Sequence, residues 1–186
     1  MTWVKRIVFW FVLMIGISFN CYGYDREKDF GGWIDLDGDG QNTREEVLER
    51  DSLVGVEKDT YGNISWGIWF CPYSGLFFDN PKMLDIDHFV PLAEVYESGG
   101  DEWEKNKKIN YANYLLDKQH LVVTWKKYNR SKGSKDIGEW LPLIYVEEYI
   151  YLWWKIKNDW NLCFDKKEIE KLKGYDIIEE NLCKER

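Results

Sequence analysis

The run Asp85-Ile86-Asp87-His88-Phe89-Val90-Pro91 sets two carboxylates beside an imidazole, and Asn129-Arg130-Ser131-Lys132-Gly133 answers it downstream. In extended backbone successive side chains alternate faces, so Asp85 and Asp87 share one face and His88 points to the other. The parts suit metal-assisted hydrolysis of a phosphodiester. Asp87, a hard oxygen ligand, would hold a divalent cation, and the side-chain carbonyl of Asn129 would complete its shell together with waters and phosphate oxygens. His88, with an ordinary pKa of about 6.5, would take a proton from water. Taken singly, an Asp-His pair is usually a strand-end feature and Asn-Arg-Ser a turn or cap; their ordered combination favours a site.

These residues resemble the HNH (ββα-metal) endonucleases. The likeness extends to Asn42-Thr43-Arg44-Glu45-Glu46-Val47-Leu48, Gly67-Ile68-Trp69 with Pro72-Tyr73-Ser74-Gly75, Asp85 to Glu94, Tyr111-Ala112-Asn113 and Asn129 to Pro142. In that order they resemble secreted HNH proteins related to the C-terminal domain of GmrSD-type restriction enzymes. The resemblance implies His88 as general base, Asp87 and Asn129 as metal ligands, Asp85 as an auxiliary ligand, and Asn113 as the middle Asn bracing the loop between two strands. It also implies an α+β fold with a ββα-metal core, a small antiparallel sheet and flanking helices. The cation would be Mg²⁺, with Mn²⁺ as the substitute, and the partner a nucleic acid, DNA before RNA; no protein partner is implied.

A second motif, Asp35-Leu36-Asp37-Gly38-Asp39-Gly40 running on to Glu46, fits a calcium-binding EF-hand loop, with oxygen donors at Asp35, Asp37, Asp39 and Glu46 and a turn at Gly40. Gly31-Gly32 interrupts any entering helix, so the loop reads equally as an acidic turn capping the helix that begins at Thr43. This motif underlies the alternative function, a non-catalytic, calcium-stabilised secreted binding protein on a degenerate HNH scaffold.

The net charge of −8 argues against a broadly basic surface for coating DNA. Between Lys105 and Lys135, however, lysines and Arg130 face few acids, and this stretch brackets Asn129. Arg130, Lys132, Lys126 and Lys127 are the candidate phosphate contacts. Backbone contacts of this kind carry little sequence information, so weak specificity is expected. A solvated helical face is the competing reading.

The 186 residues suit one domain and a leader, with 17% aromatic residues for a core. Lys5 and Arg6 before the apolar run Ile7 to Ile17 predict a signal peptide over residues 1–23, cut after Gly23, and hence a secreted or periplasmic protein without stable membrane association. Residues 24–186 would then form a single domain opened by an acidic segment over 24–46. Cys71, Cys163 and Cys183 would remain, giving one disulfide and one free thiol whose pairing the sequence leaves open.

Periodicity and turn residues predict a helix over Thr43 to Asp51, strands over Leu53 to Glu57 and Ile64 to Phe70, and a turn at Cys71 to Gly75 leading to the Asp85 strand. Helices follow over Leu92 to Ser98, Trp103 to Tyr114, Leu143 to Asp159 and Lys166 to Lys173. The second strand of the ββα unit is Leu121 to Thr124, followed by a helical turn presenting Asn129. His120 reads as a strand-edge histidine bonded to backbone, and Trp153, Trp154 and Trp160 as packing residues.

Overall fold

The computed structural model describes residues 23–184. The signal peptide expected over residues 1–23 lies, apart from Gly23, outside them. Among the described residues no helix is long and apolar enough to cross a membrane. The fold is mixed α+β: three two-stranded antiparallel sheets with helices around them.

After a one-turn helix α1 (Arg26–Asp29) and the acidic loop, α2 (Thr43–Asp51) starts where Asn42 accepts hydrogen bonds from the amides of Arg44 and Glu45, at 3.0 and 3.2 Å. Strands β1 (Glu57–Lys58) and β2 (Ile64–Trp66) pair around the turn at Gly62. The sequence predicts strand from Leu53, yet Leu53 and Val54 are exposed and unpaired with any strand. The strand expected over Ile64 to Phe70 is broken in two at Gly67-Ile68. A Cβ at Gly67 would stand 2.6 Å from the Trp69 indole, which packs back over it and donates to the Leu48 carbonyl at 2.7 Å. Beyond the break, β3 (Trp69–Cys71) turns at Pro72 to Gly75 and pairs with β4 (Leu76–Phe78), a hairpin that the sequence did not signal.

The third sheet pairs β5 (Leu84–His88) with β6 (Leu121–Trp125), in a register that sets Asp87 opposite Val122 and His88 opposite Leu121. Leu84 and Ile86 enter one core with Val47, Leu48, Trp69, Leu121 and Val123. Asp85 and Asp87, on the other face, meet α5 (Lys126–Lys132). The helices α3 (Leu92–Glu97), ended by Gly99 at φ 108°, and α4 (Lys105–Ala112) fill the connection between the two strands.

A second core gathers Phe89, Val90, Tyr111 and Ile137 with α6 (Val146–Asp159) and α7 (Lys166–Lys173). Helix α6 starts three residues later than periodicity predicts, after Tyr145 at φ 56°. It turns Tyr149, Ile150, Trp153 and Ile156 inward. Lys157 is also buried, holding Glu94 at 2.7 Å, Ser98 at 2.9 Å and both oxygens of Glu168 at 2.7 and 2.8 Å. Glu168 closes the capping box of α7 with Asp165 and accepts the Trp153 indole at 2.6 Å. Cys163 and Cys183 form a disulfide; Cys71 is free and buried.

Candidate functional site

Strand β5 delivers Asp87 and His88 to one end of a cleft of about 330 Å³, and α5 delivers Asn129 and Arg130 to its side. His88 is held at one ring edge and over one face. Its Nε2 lies 2.9 Å from the Ala112 carbonyl at the end of α4. A carbonyl only accepts, so Nε2 carries the proton and the neutral ring keeps its lone pair on Nδ1. The Trp33 indole lies flat against the imidazole, with centroids 5.0 Å apart and planes at 7°. Burial outweighs the hydrogen bond to Ala112 and brings the His88 pKa down to about 3, so the ring is neutral at physiological pH.

Asn113 follows the carbonyl that holds His88 and is fully buried. Its Oδ1 accepts from the Ile34 amide at 3.1 Å and the Thr43 hydroxyl at 2.8 Å; its Nδ2 donates to Gly32 O at 3.3 Å and Ile109 O at 3.0 Å. Asn113 therefore stitches the N-terminal segment to the end of α4. It braces the loop and does not line the cleft.

Asp87 is 6% exposed and its carboxylate is already engaged. Lys132 Nζ lies 3.0 Å from Oδ1 and 2.7 Å from Oδ2, with its third bond to His88 O at 2.9 Å; the Tyr73 hydroxyl donates to Oδ2 at 2.7 Å. Burial pushes the Asp87 carboxyl up and the Lys132 ammonium down, each against the pull of the other. Lys132, expected at phosphate, is thus corrected to a buried partner of Asp87. A charge with no access to solvent cannot reach a ligand in the cleft without abandoning that pair.

Asn129 Nδ2 donates to Asp85 Oδ2 at 3.2 Å, which leaves the Asn129 carbonyl oxygen for another partner. Asp85 itself does not line the cleft. Lys126 and Lys127 occupy the first turn of α5 away from it, Lys127 over the Trp125 ring at 5.2 Å. The lysine-rich stretch does not make one basic patch, because Lys105 bonds the carbonyls of Lys28 and Asp29 while the buried Lys108 bonds that of Asp101 at 2.8 Å. The contribution that sequence reasoning missed comes from the N-terminal segment, since Tyr24 and Arg26 complete the cleft wall and Trp33 the histidine pocket.

At the acidic loop, one oxygen from each of Asp35, Asp37 and Asp39 lies within 4.8 Å of the others, all exposed. Asp35 accepts from the amides of Gly38 at 2.7 Å and Gly40 at 3.0 Å, which curls the loop around this point. The cluster could coordinate a divalent cation. Glu46 stands outside the converging set; burial and the three aspartates raise its pKa.

His120 lies apart from the cleft. It donates Nε2–H to the Tyr111 carbonyl at 2.8 Å, one residue before the carbonyl that holds His88, and its ring is walled by Tyr111, Tyr114 and Trp160. Burial lowers its pKa to about 4.

The chain is 35% identical over 148 residues to a protein of Arthroderma benhamiae (strain ATCC MYA-4681 / CBS 112371) named "Uncharacterized secreted protein", an alignment covering 78% of this chain and 71% of that one. It belongs to the same family as that protein. No family model and no solved structure matches the chain.

Proposed function

We propose that this chain is a secreted, divalent-cation-dependent endonuclease of the HNH type, hydrolysing phosphodiester bonds in DNA, with RNA as the second substrate class, and with little sequence specificity. The observation that carries this reading is the pinned, neutral His88 in a cleft that Asp87, Asn129 and Arg130 also line. The strand–strand–helix order of β5, β6 and α5, with Asn113 bracing the intervening loop, supports the ββα-metal assignment. Secretion is supported by the leader composition and by the name of the fungal relative.

The donors fit a hard cation in type: Asp87 Oδ1 spends one bond on Lys132 and keeps a further lone pair, and Asn129 keeps its carbonyl oxygen. A cation held there would supply Lewis acidity at the nonbridging and departing oxygens of the phosphodiester. The nearby ammonium of Lys132 opposes that cation, so its affinity is modest. His88 accepts the proton of the attacking water at Nδ1, while the Ala112 carbonyl at Nε2 steadies the imidazolium that forms. An imidazole held near 3 is a weak base, and the negative charge of a phosphodiester entering the cleft acts to raise its pKa.

The test is digestion of plasmid DNA, single-stranded DNA and RNA by the exported protein with Mg²⁺, Mn²⁺ or EDTA. Cleavage abolished by EDTA is expected, with Asp87→Ala and Asn129→Ala requiring more cation. Folded protein that cleaves none of the three with any cation would contradict the reading.

The Asp35, Asp37 and Asp39 geometry favours a second reading, a non-catalytic secreted protein whose N-terminal segment is fixed by Ca²⁺. Asn113 ties down Ile34 and Thr43 on either side of that loop, so a cation there would steady the same segment that supplies Trp33. This reading predicts a calcium-dependent rise in melting temperature, lost in Asp37→Asn, without cleavage of any nucleic acid.

A further inference from the structure

The described residues contain four arginines, and their partners divide them sharply. Arg44 pairs with Glu45 at 2.7 Å and Arg50 with Asp51 at 2.8 Å. Arg26 and Arg130 make no ion pair among the described residues, although acidic residues outnumber basic ones 33 to 25 in the chain. Both line the cleft that holds His88 and Asn129, one from the N-terminal segment and one from α5. Arg26 also sits over the Trp33 ring, its Cζ 5.8 Å from the centroid, and that ring is the one stacked on His88.

We propose that Arg26 and Arg130 together bind one phosphate of a nucleic-acid strand in this cleft, and that Trp33 is a positioning residue holding the plane of the His88 ring. The guanidinium forks match phosphate oxygens, and a cleft lined by two cations without ion-pair partners selects an anion. The indole packs against one face of the imidazole while Ala112 fixes its edge, so the ring has little freedom to turn. The N-terminal segment is thus part of the working site. The identity of the strand rests on the endonuclease reading; the phosphate clamp is measurable without cleavage.

Binding of a fluorescein-labelled 12-nucleotide single-stranded DNA is followed by anisotropy in EDTA, which removes the cation needed for cleavage. Arg26→Ala and Arg130→Ala should each weaken binding about tenfold and reduce the salt slope, by no more than about 0.7 for the one phosphate they share, whereas Arg44→Ala should change neither. Arg26→Ala indistinguishable from Arg44→Ala would overturn the clamp, as would no binding by the unsubstituted protein. Binding that depends on both arginines without cleavage under any cation would keep the clamp and remove the endonuclease reading.

For Trp33, the His88 Hε1 resonance reports the stack directly through the indole ring current. Trp33→Phe should leave it shielded and kcat within about threefold, while Trp33→Leu should move it downfield and lower kcat about tenfold, with KM nearly unchanged. Equal losses in the two variants, or a His88 resonance unmoved by Trp33→Leu, would overturn the positioning role.

Discussion

Two regions of this protein are built from the same parts. At β5 and α5, a buried histidine donates to the Ala112 carbonyl beside a buried lysine paired with Asp87. Around α6, a buried histidine donates to the Tyr111 carbonyl, and a buried lysine is caged by Glu94 and Glu168. The difference lies in what is left uncommitted. Near His120 the carboxylates of Asp117 and Asp159 are joined by Lys155, at 3.1 and 2.7 Å, and Lys157 spends its bonds on two glutamates and a serine. Beside His88, Arg26 and Arg130 make no ion pair among the described residues, and the Asn129 side-chain carbonyl accepts no hydrogen bond there. Residue type and burial are thus shared by the two regions; what sets the His88 cleft apart is that its unspent groups, two guanidinia and an amide oxygen, belong to residues lining an open cleft, whereas near His120 the atom without a partner is the buried Nδ1 of the histidine itself.

The lysines break the comparison most forcefully. Lys157→Met leaves Glu168 buried with its charge uncompensated, and a loss of about 3–5 kcal/mol in denaturant melts is expected. Lys132→Met strands Asp87 in a cleft that water and cations can enter, so its cost should be smaller, about 1–3 kcal/mol. The same variant should bind Mg²⁺ more tightly by isothermal titration, because the opposing ammonium is gone. Equal stability losses with unchanged cation affinity would erase the distinction between the two pairs.

The covalent tie sharpens it from the other side. Cys163 and Cys183 enclose α7, next to the Glu168 cage, and replacing both with serine should cost about 2–4 kcal/mol while leaving cleavage rates in native conditions unchanged. Acid, by contrast, should treat the two regions alike. The folded pKa values, about 3 for His88 and about 4 for His120, lie below the ordinary 6.5. Between pH 6.5 and 4 the unfolded chain binds protons that the folded one refuses, so these histidines lower stability as pH falls through that window and contribute nothing above it. Each adds up to about 1.4 kcal/mol per pH unit. His120→Phe should remove one of the two contributions, visible in unfolding free energies at pH 7.5, 5.5 and 4.5.

Much of this was legible from local pattern. The bounds of α2 and α7 match the sequence reading, the first capped by Asn42 and the second by the Asp165–Glu168 box. Strand β5 was readable from its alternation, and the converging aspartates from their spacing at 35, 37 and 39. What failed was direction over distance. Lys132 looked like surface chemistry because N-R-S-K-G says nothing of the acid that waits across the sheet. Yet Asn129 and Lys132, three apart, share a helical face with a rise of about 4.5 Å, and the long lysine side chain makes up the difference to the spacing of about 6.7 Å between Asp85 and Asp87 on the strand. Once Asn129 meets Asp85, Lys132 is bound to meet Asp87. Trp33 and Arg26 carry no such signal, since their contacts exist only after Asn113 has drawn Gly32 and Ile34 onto α4.

The most direct measurement is Mg²⁺-dependent plasmid cleavage by the His88→Ala and His120→Ala variants side by side, with folding of each verified by circular dichroism. If His88 is the base and His120 a packing residue, His88→Ala falls about 10²–10⁴-fold and His120→Ala stays within a few-fold. Equal activity in His88→Ala and the unsubstituted protein, or equal loss in both variants, would contradict the assignment of the site to His88.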